Sequence, residues 1–130
     1  MTLTPHTIGH DASLYAAHRL MREHGCRHLP VMAAGKLMGL LSQRDLYVVE
    51  NLRDVDPIVV TVSEAMSTEI YCVDQDCSVQ RVVTEMAVHK YGAAVVVERA
   101  DVIGVFTTTD ALAVLYGLLT PVAQFKRRHI

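Results

Sequence analysis

The sequence has no tryptophan, only two phenylalanines, and only three cysteines. Without large aromatics a core must be aliphatic, here from Ala, Val, Leu and Met. Cys26, Cys72 and Cys77 are odd in number and form no Cys-x-x-Cys pair, which favours reduced thiols over a disulfide framework. No apolar run approaches the length that spans a bilayer. The start from Thr2 to Asp11 is polar and punctuated by Pro5 and Gly9, unlike a signal peptide. Net charge is scarce too: 12 Lys and Arg against 14 Asp and Glu leave −2, too weak a field to predict nucleic-acid binding. What is present is 130 residues that are 51% hydrophobic, enough for one compact domain or two small units sharing a core. The composition predicts a soluble, cytoplasmic, globular protein with no membrane span.

The chain repeats itself. An ungapped shift of 65 residues pairs Asp11 with Asp76, Ser13 with Ser78, Met21 with Met86, His24 with His89, Val31 with Val96, Gly39 with Gly104 and Asp45 with Asp110. The order of structural signals repeats as well. Each half opens on a short extended piece, His6–Ile8 or Ile70–Val73, followed by Asp-x-Ser, whose side chains can cap a helix. In the second half Val79, Val82, Val83 and Met86 then form one helical stripe, and Leu14, Ala17, His18 and Met21 form a weaker one in the first. Two apolar runs joined by a tight turn follow, "HLPVMA" and "KLMGLLS", then "AAVVVE" and "DVIGVFT". A second helix closes each half, over about 43–51 and 108–119. The prediction is an α/β (α+β) fold of two tandem β-α-β-β-α repeats packed sheet to sheet with pseudo-two-fold symmetry, since neither unit alone can bury both sheet faces. Repeats over 1–54 and 66–120 are joined by a linker at 55–65, where Asp56-Pro57 signals a turn, and 121–130 form a basic tail. Because Met1 pairs with Met66, no counterpart of the second repeat's lead-in is expected in the first.

The element order, the "RHLPV" strand start and the two tips "GLLSQRD" and "GVFTTTD" resemble the cystathionine β-synthase (CBS) domain, and two copies resemble that family's paired module. The likeness covers residues 6–46 and 71–112. It implies a regulatory, energy-sensing module that binds adenosine-containing ligands between its repeats, catalyses nothing by itself and forms homodimers. AMP, ADP, ATP, S-adenosylmethionine and NADH are the ligands implied, with no cofactor required.

The tips carry the candidate site. By resemblance, Asp45 and Asp110 bind a ribose, and a carboxylate can accept two hydrogen bonds from its vicinal hydroxyls. Read from the residues alone, Ser42 and Thr107 cap the following helix, with the Asp as the other half of a capping box. Both roles can coexist, because a helix N-terminus also attracts phosphate. Ser42 and Thr107 are candidate phosphate donors, as are Arg27 and His28, which the resemblance places against ligand phosphates. The second repeat has Gly92 and Ala93 in place of that basic pair, so one good phosphate anchor is expected rather than two. The resemblance lines the base pocket with Thr7, Ile8, Leu29 and Val31, and with Cys72, Val73, Ala94 and Val96. Each of the eight also reads as an ordinary strand or core residue.

Seven histidines suggest no metal site: Gly25 should break the face shared by His24 and His28, and no tetrahedral set is completed. Cys72 and Cys77 read as inert thiols. The tail "FKRRHI" is a short basic cluster, readable as a solvated terminus or as a contact for nucleic acid or an acidic partner. No nucleophile–base–acid set can be assembled, which argues against an enzyme. Since no other domain is visible, a regulated target must be a separate protein or the assembled oligomer. Helices carrying Leu46, Tyr47 and Val49, and Leu112, Leu115, Tyr116 and Leu119, offer apolar dimer faces. The competing reading is a structural dimerisation module that binds no ligand.

Overall fold

A computed structural model describes residues 2–3, 5–52 and 54–119. The first repeat contains β2 (Ile8–Gly9), α1 (Leu14–His24), β3 (His28–Ala33), β4 (Lys36–Ser42) and α2 (Gln43–Glu50). The second contains β5 (Cys72–Asp74), α4 (Val79–His89), β6 (Ala93–Glu98), β7 (Asp101–Thr107) and α5 (Thr108–Leu119). Two further elements belong to the connections: β1 (Thr2–Leu3) and the single turn α3 (Val62–Ala65). The two opening strands lie slightly later than their predicted extended pieces.

Local chemistry explains the repeated elements. Ser13 accepts from the Ala16 amide (3.1 Å) and Ser78 from the Arg81 amide (3.2 Å), so the Asp-x-Ser signals do cap α1 and α4. Both helices stop on a left-handed residue, Gly25 (φ 63°) and, 65 positions on, Lys90 (φ 59°). Both hairpins turn on two residues of positive φ, Ala34-Gly35 and Arg99-Ala100. That backbone twist matches the twist of the paired strands. Only the first hairpin supplies a glycine. Ala100→Gly is therefore expected to raise stability by about 1 kcal/mol, read as a higher urea midpoint at unchanged slope.

In each repeat a parallel pair (β2–β3, β5–β6) and an antiparallel pair (β3–β4, β6–β7) make a three-stranded mixed sheet. The register shift at Val31/Met32 recurs at Val96/Val97, the same 65 residues on. Helix-side cores form separately. Ile8, Leu14, Ala17, Met21, Leu29, Val31, Leu41 and Leu46 bury together in the first, and Val73, Val82, Met86, Ala94, Val96 and Phe106 in the second. Pro30 and its equivalent Val95 are buried but belong to neither cluster, as do Ala93 and Val105. They alternate along their strands with cluster members and so point to the opposite face. There the sheets pack together, with β4 touching β7.

One pairing was not anticipated and one expectation needs correcting. The opening strand β1 pairs with β7 of the second repeat, Thr2 opposite Val105. Its mirror is the bridge between Ser67 and Leu40, with both positions offset by 65. The repeats thus exchange their opening residues, a long-range pairing that no local pattern signals. The predicted stripe on α4 is also only half buried. Val82 and Met86 face the core, while Val79 is 49% exposed where its equivalent Leu14 is fully buried.

Candidate functional site

The two strand tips are built alike. Ser42 caps α2 by accepting from the Asp45 amide (3.0 Å), and its own amide donates to Asp45 Oδ2 (2.9 Å). Thr107 accepts from the Asp110 amide (3.2 Å), and its amide donates to Asp110 Oδ2 (2.8 Å). The capping reading is therefore realised at both tips. At the second tip Thr107 Oγ1 also donates to Asp110 Oδ2 (3.1 Å), which gives that oxygen a second partner inside the box. At Asp45 the box uses Oδ2, and a carboxylate's Oδ1 is a further acceptor. Both aspartates are half-buried.

Pairing of β3 with β4 sets His28 opposite Ser42, and the Gln43 amide donates to the Arg27 carbonyl (2.8 Å). Arg27, His28, Ser42 and Asp45 thus converge on one end of the first sheet. In the second repeat Ala93 faces Thr107, and the Thr108 amide donates to the Gly92 carbonyl (3.1 Å). The backbone is the same, but the basic side chains are missing. The two ends meet, because a Cβ on Gly92 would lie 3.6 Å from His28 Nε2. The first repeat's basic end therefore borders the second repeat, as a cleft shared between the copies requires.

Burial pushes the His28 pKa down, and the Arg27 charge adds to that while Asp45 opposes it. At neutral pH the standing positive charge of this end is Arg27, and His28 is a neutral imidazole. Because protonation is harder in the folded state, the unfolded chain binds more protons below about pH 6.5. Stability from this group is thus complete above the unfolded pKa and is lost as pH falls through the lowered folded one. His28→Gln should lose less stability than the wild type between pH 7.5 and 5 in urea unfolding; equal losses would exclude His28 as the cause.

The predicted base-pocket residues divide. Thr7 and Cys72 are exposed, while the side chains of Ile8, Leu29, Val31, Val73, Ala94 and Val96 sit in the helix-side cores. The core residues can offer a base only backbone groups, apart from Val73 and Val96, which also line an apolar cavity of about 260 Å³ beneath α4. A wider, polar depression of about 590 Å³ takes in Cys72 and Val73 with Asp74, Ser78 and Arg81. Neither hollow reaches Asp45 or Asp110. Sequence reasoning missed the contact of His28 with the position of Gly92, which depends on how the sheets pack.

Gly25 does break the His24–His28 face; His24 instead stacks on His6, with ring centroids 3.5 Å apart. Among the described residues no group of three or more His, Cys, Asp or Glu is placed to hold a metal ion. Desolvation pushes the Cys72 and Cys26 thiols up, away from the reactive thiolate. Leu46, expected on a dimer face, is instead fully buried in the first core. No described helix is long and apolar enough to cross a membrane.

Comparison with known proteins agrees with this architecture. The CBS domain model matches residues 1–50 and 62–117. Hypoxic response protein 1 of Mycobacterium tuberculosis is 30% identical over 104 residues, 79% of this chain and 73% of that protein. The AcuB protein of Vibrio cholerae superposes with a TM-score of 0.80 at 28% identity, covering 95% of this chain and 93% of that one. The CBS domain pair of protein MJ0100, solved in complex with 5′-methylthioadenosine and S-adenosyl-L-methionine, superposes with a TM-score of 0.78. It is 23% identical, with 91% of this chain and 98% of that one covered.

Proposed function

The chain belongs to the CBS domain family as a tandem pair of CBS domains, and from that premise we propose that it is a regulatory module that senses an adenosine-containing ligand in the cleft between its repeats. The observation that carries this reading is the convergence of Arg27, His28, Ser42 and Asp45 on one sheet end that borders Gly92 of the other repeat. In the proposed complex Asp45 accepts from the ribose hydroxyls, and the Ser42 hydroxyl and Arg27 fork hold phosphate beside the N-terminus of α2. Asp110 and Thr107 form the second, phosphate-poor tip, better suited to an adenosyl group without phosphates. Support for adenosyl chemistry comes from the MJ0100 pair, which holds two ligands of that kind. Ligand binding shifts the module between states only through differential affinity, and its readout is a partner protein or its own assembly. The module itself catalyses nothing.

Assembly has a candidate face in α5. None of its residues is buried, and Leu112, Leu115, Tyr116 and Leu119 are all exposed, which suits a second copy. That face also favours the second reading, a dimerisation module without ligand. Calorimetric titration with AMP, ADP, ATP, S-adenosylmethionine and NADH separates the two. The sensing module requires a saturable isotherm from at least one of them, whereas silence from all five would leave dimerisation as the function. Sedimentation velocity on the same samples reads the oligomer.

A further inference from the structure

His28 opens β3 and stands where the two repeats meet. Leu29 and Val31 turn into the first core, so strand alternation sends His28 and Pro30 to the opposite face, toward the second repeat. There a Cβ on Gly92 would lie 3.6 Å from His28 Nε2, in ordinary van der Waals contact. Gly92 stands 65 positions after Arg27, so the second repeat has only backbone where the first has a guanidinium. The first repeat's tip supplies the other neighbours. Ser42 lies opposite His28 in the β3–β4 register, and its capping box with Asp45 follows directly. Among the described residues the charged groups that act on His28 are Asp45, in the first turn of α2, and Arg27, in the loop before β3. Their signs oppose each other, and no charged group of the second repeat joins them.

We propose that His28 makes the first tip proton-coupled: a phosphate-bearing adenosine ligand binds there together with a proton on this imidazole, so acidification tightens its binding. The inference rests on the proposed function and adds the regulation of that same site. Without ligand the imidazole is neutral near pH 7, because it is desolvated between the sheets and Arg27 lies beside it. A phosphate held by Arg27 and Ser42 at the N-terminus of α2 brings negative charge to the same sheet end. It offsets Arg27 and favours the imidazolium, which is a donor at both ring nitrogens and bonds an anion more strongly than neutral imidazole does. The bound state then holds more protons than the free state. Affinity therefore rises as pH falls through the bound-state pKa and levels off below the free-state one. A ligand without phosphate gains nothing from acid at this tip, and the cationic sulfonium of S-adenosylmethionine is repelled by the imidazolium. Acidification thus moves the first tip toward phosphorylated adenosine ligands and away from S-adenosylmethionine.

AMP and adenosine are titrated calorimetrically into the full-length wild type and His28→Gln at pH 7.5 and 5.5. A phosphomonoester itself titrates near about pH 6, so the variant carries the ligand's own pH dependence and the comparison isolates His28. The wild-type-to-variant affinity ratio for AMP should be about 10-fold larger at pH 5.5 than at pH 7.5, the low end of what an opposite charge nearby does to a titration. For adenosine the ratio should not change with pH. Imidazole proton resonances of the wild type give a reading that needs no variant: the His28 titration should move to higher pH with saturating AMP and stay in place with adenosine. An AMP ratio equal at the two pH values, or a His28 titration unmoved by bound AMP, overturns the proposal and leaves the sensing function standing. AMP silent at both pH values overturns it as well, and silence from all five ligands named above removes the sensing function with it.

Discussion

Gly39→Val is expected to cost about 3 kcal/mol of folding stability, well above the loss of any one helix cap. A Cβ at residue 39 would lie 2.5 Å from Met66 Sδ and 2.9 Å from the Ser67 carbonyl oxygen. The methionine can swing away, but the carbonyl cannot. It accepts from the Leu40 amide (2.9 Å), and the Ser67 amide donates back to the Leu40 carbonyl (2.9 Å). A side chain at 39 therefore has to push the exchanged lead-in off β4, losing both bonds and part of the Met66 packing. Gly39→Ala should show a smaller loss of the same kind. Urea unfolding with an unchanged slope measures both. A valine variant as stable as the wild type would mean that the lead-in does not cross β4 at this point.

The second large effect concerns Asp45, which has two jobs to be told apart. Asp45→Ala removes half of the capping box and, on the proposed function, the ribose acceptor. Ser42→Ala removes the cap hydroxyl but keeps the carboxylate. Each should lower stability by about 1 kcal/mol, the usual worth of a cap. Affinity should separate them: Asp45→Ala loses about 10–100-fold for the bound adenosyl ligand, on the strength of charge-assisted hydrogen bonds. Ser42→Ala should lose less, since Arg27 still meets the phosphate. Equal losses in the two variants would show that affinity follows the helix cap rather than the carboxylate.

Most of the fold was legible because its signals are local and occur twice. Ser13 and Ser78 capping, the Gly25 helix end, the hairpins and the two tips each depend on a few neighbouring residues. The 65-residue offset then carried them from one repeat to the other, and the structure keeps that offset even in its backbone irregularities. What stayed hidden depends on distant pairing. The pairing of Thr2 with Val105 leaves no trace in either segment alone. The stripe on α4 looked cleaner than that on α1, yet Leu14 is buried and Val79 is not. Burial there is decided by residues 57–66 lying across the first repeat, not by the helix itself. The site was legible in its chemistry more than its surroundings. The tips and the missing basic pair could be read from residue types, but the lowered His28 pKa and its neighbour Gly92 arise only when the sheets pack.

The most direct test of an adenosyl ligand held between the repeats is a crystal structure of the chain grown with saturating AMP or S-adenosylmethionine. The proposed function predicts a ligand at the first tip, with its ribose hydroxyls within hydrogen-bond distance of the Asp45 carboxylate and, for AMP, the phosphate toward Arg27. A ligand seated away from both tips, or none in either cleft at saturation, would contradict it.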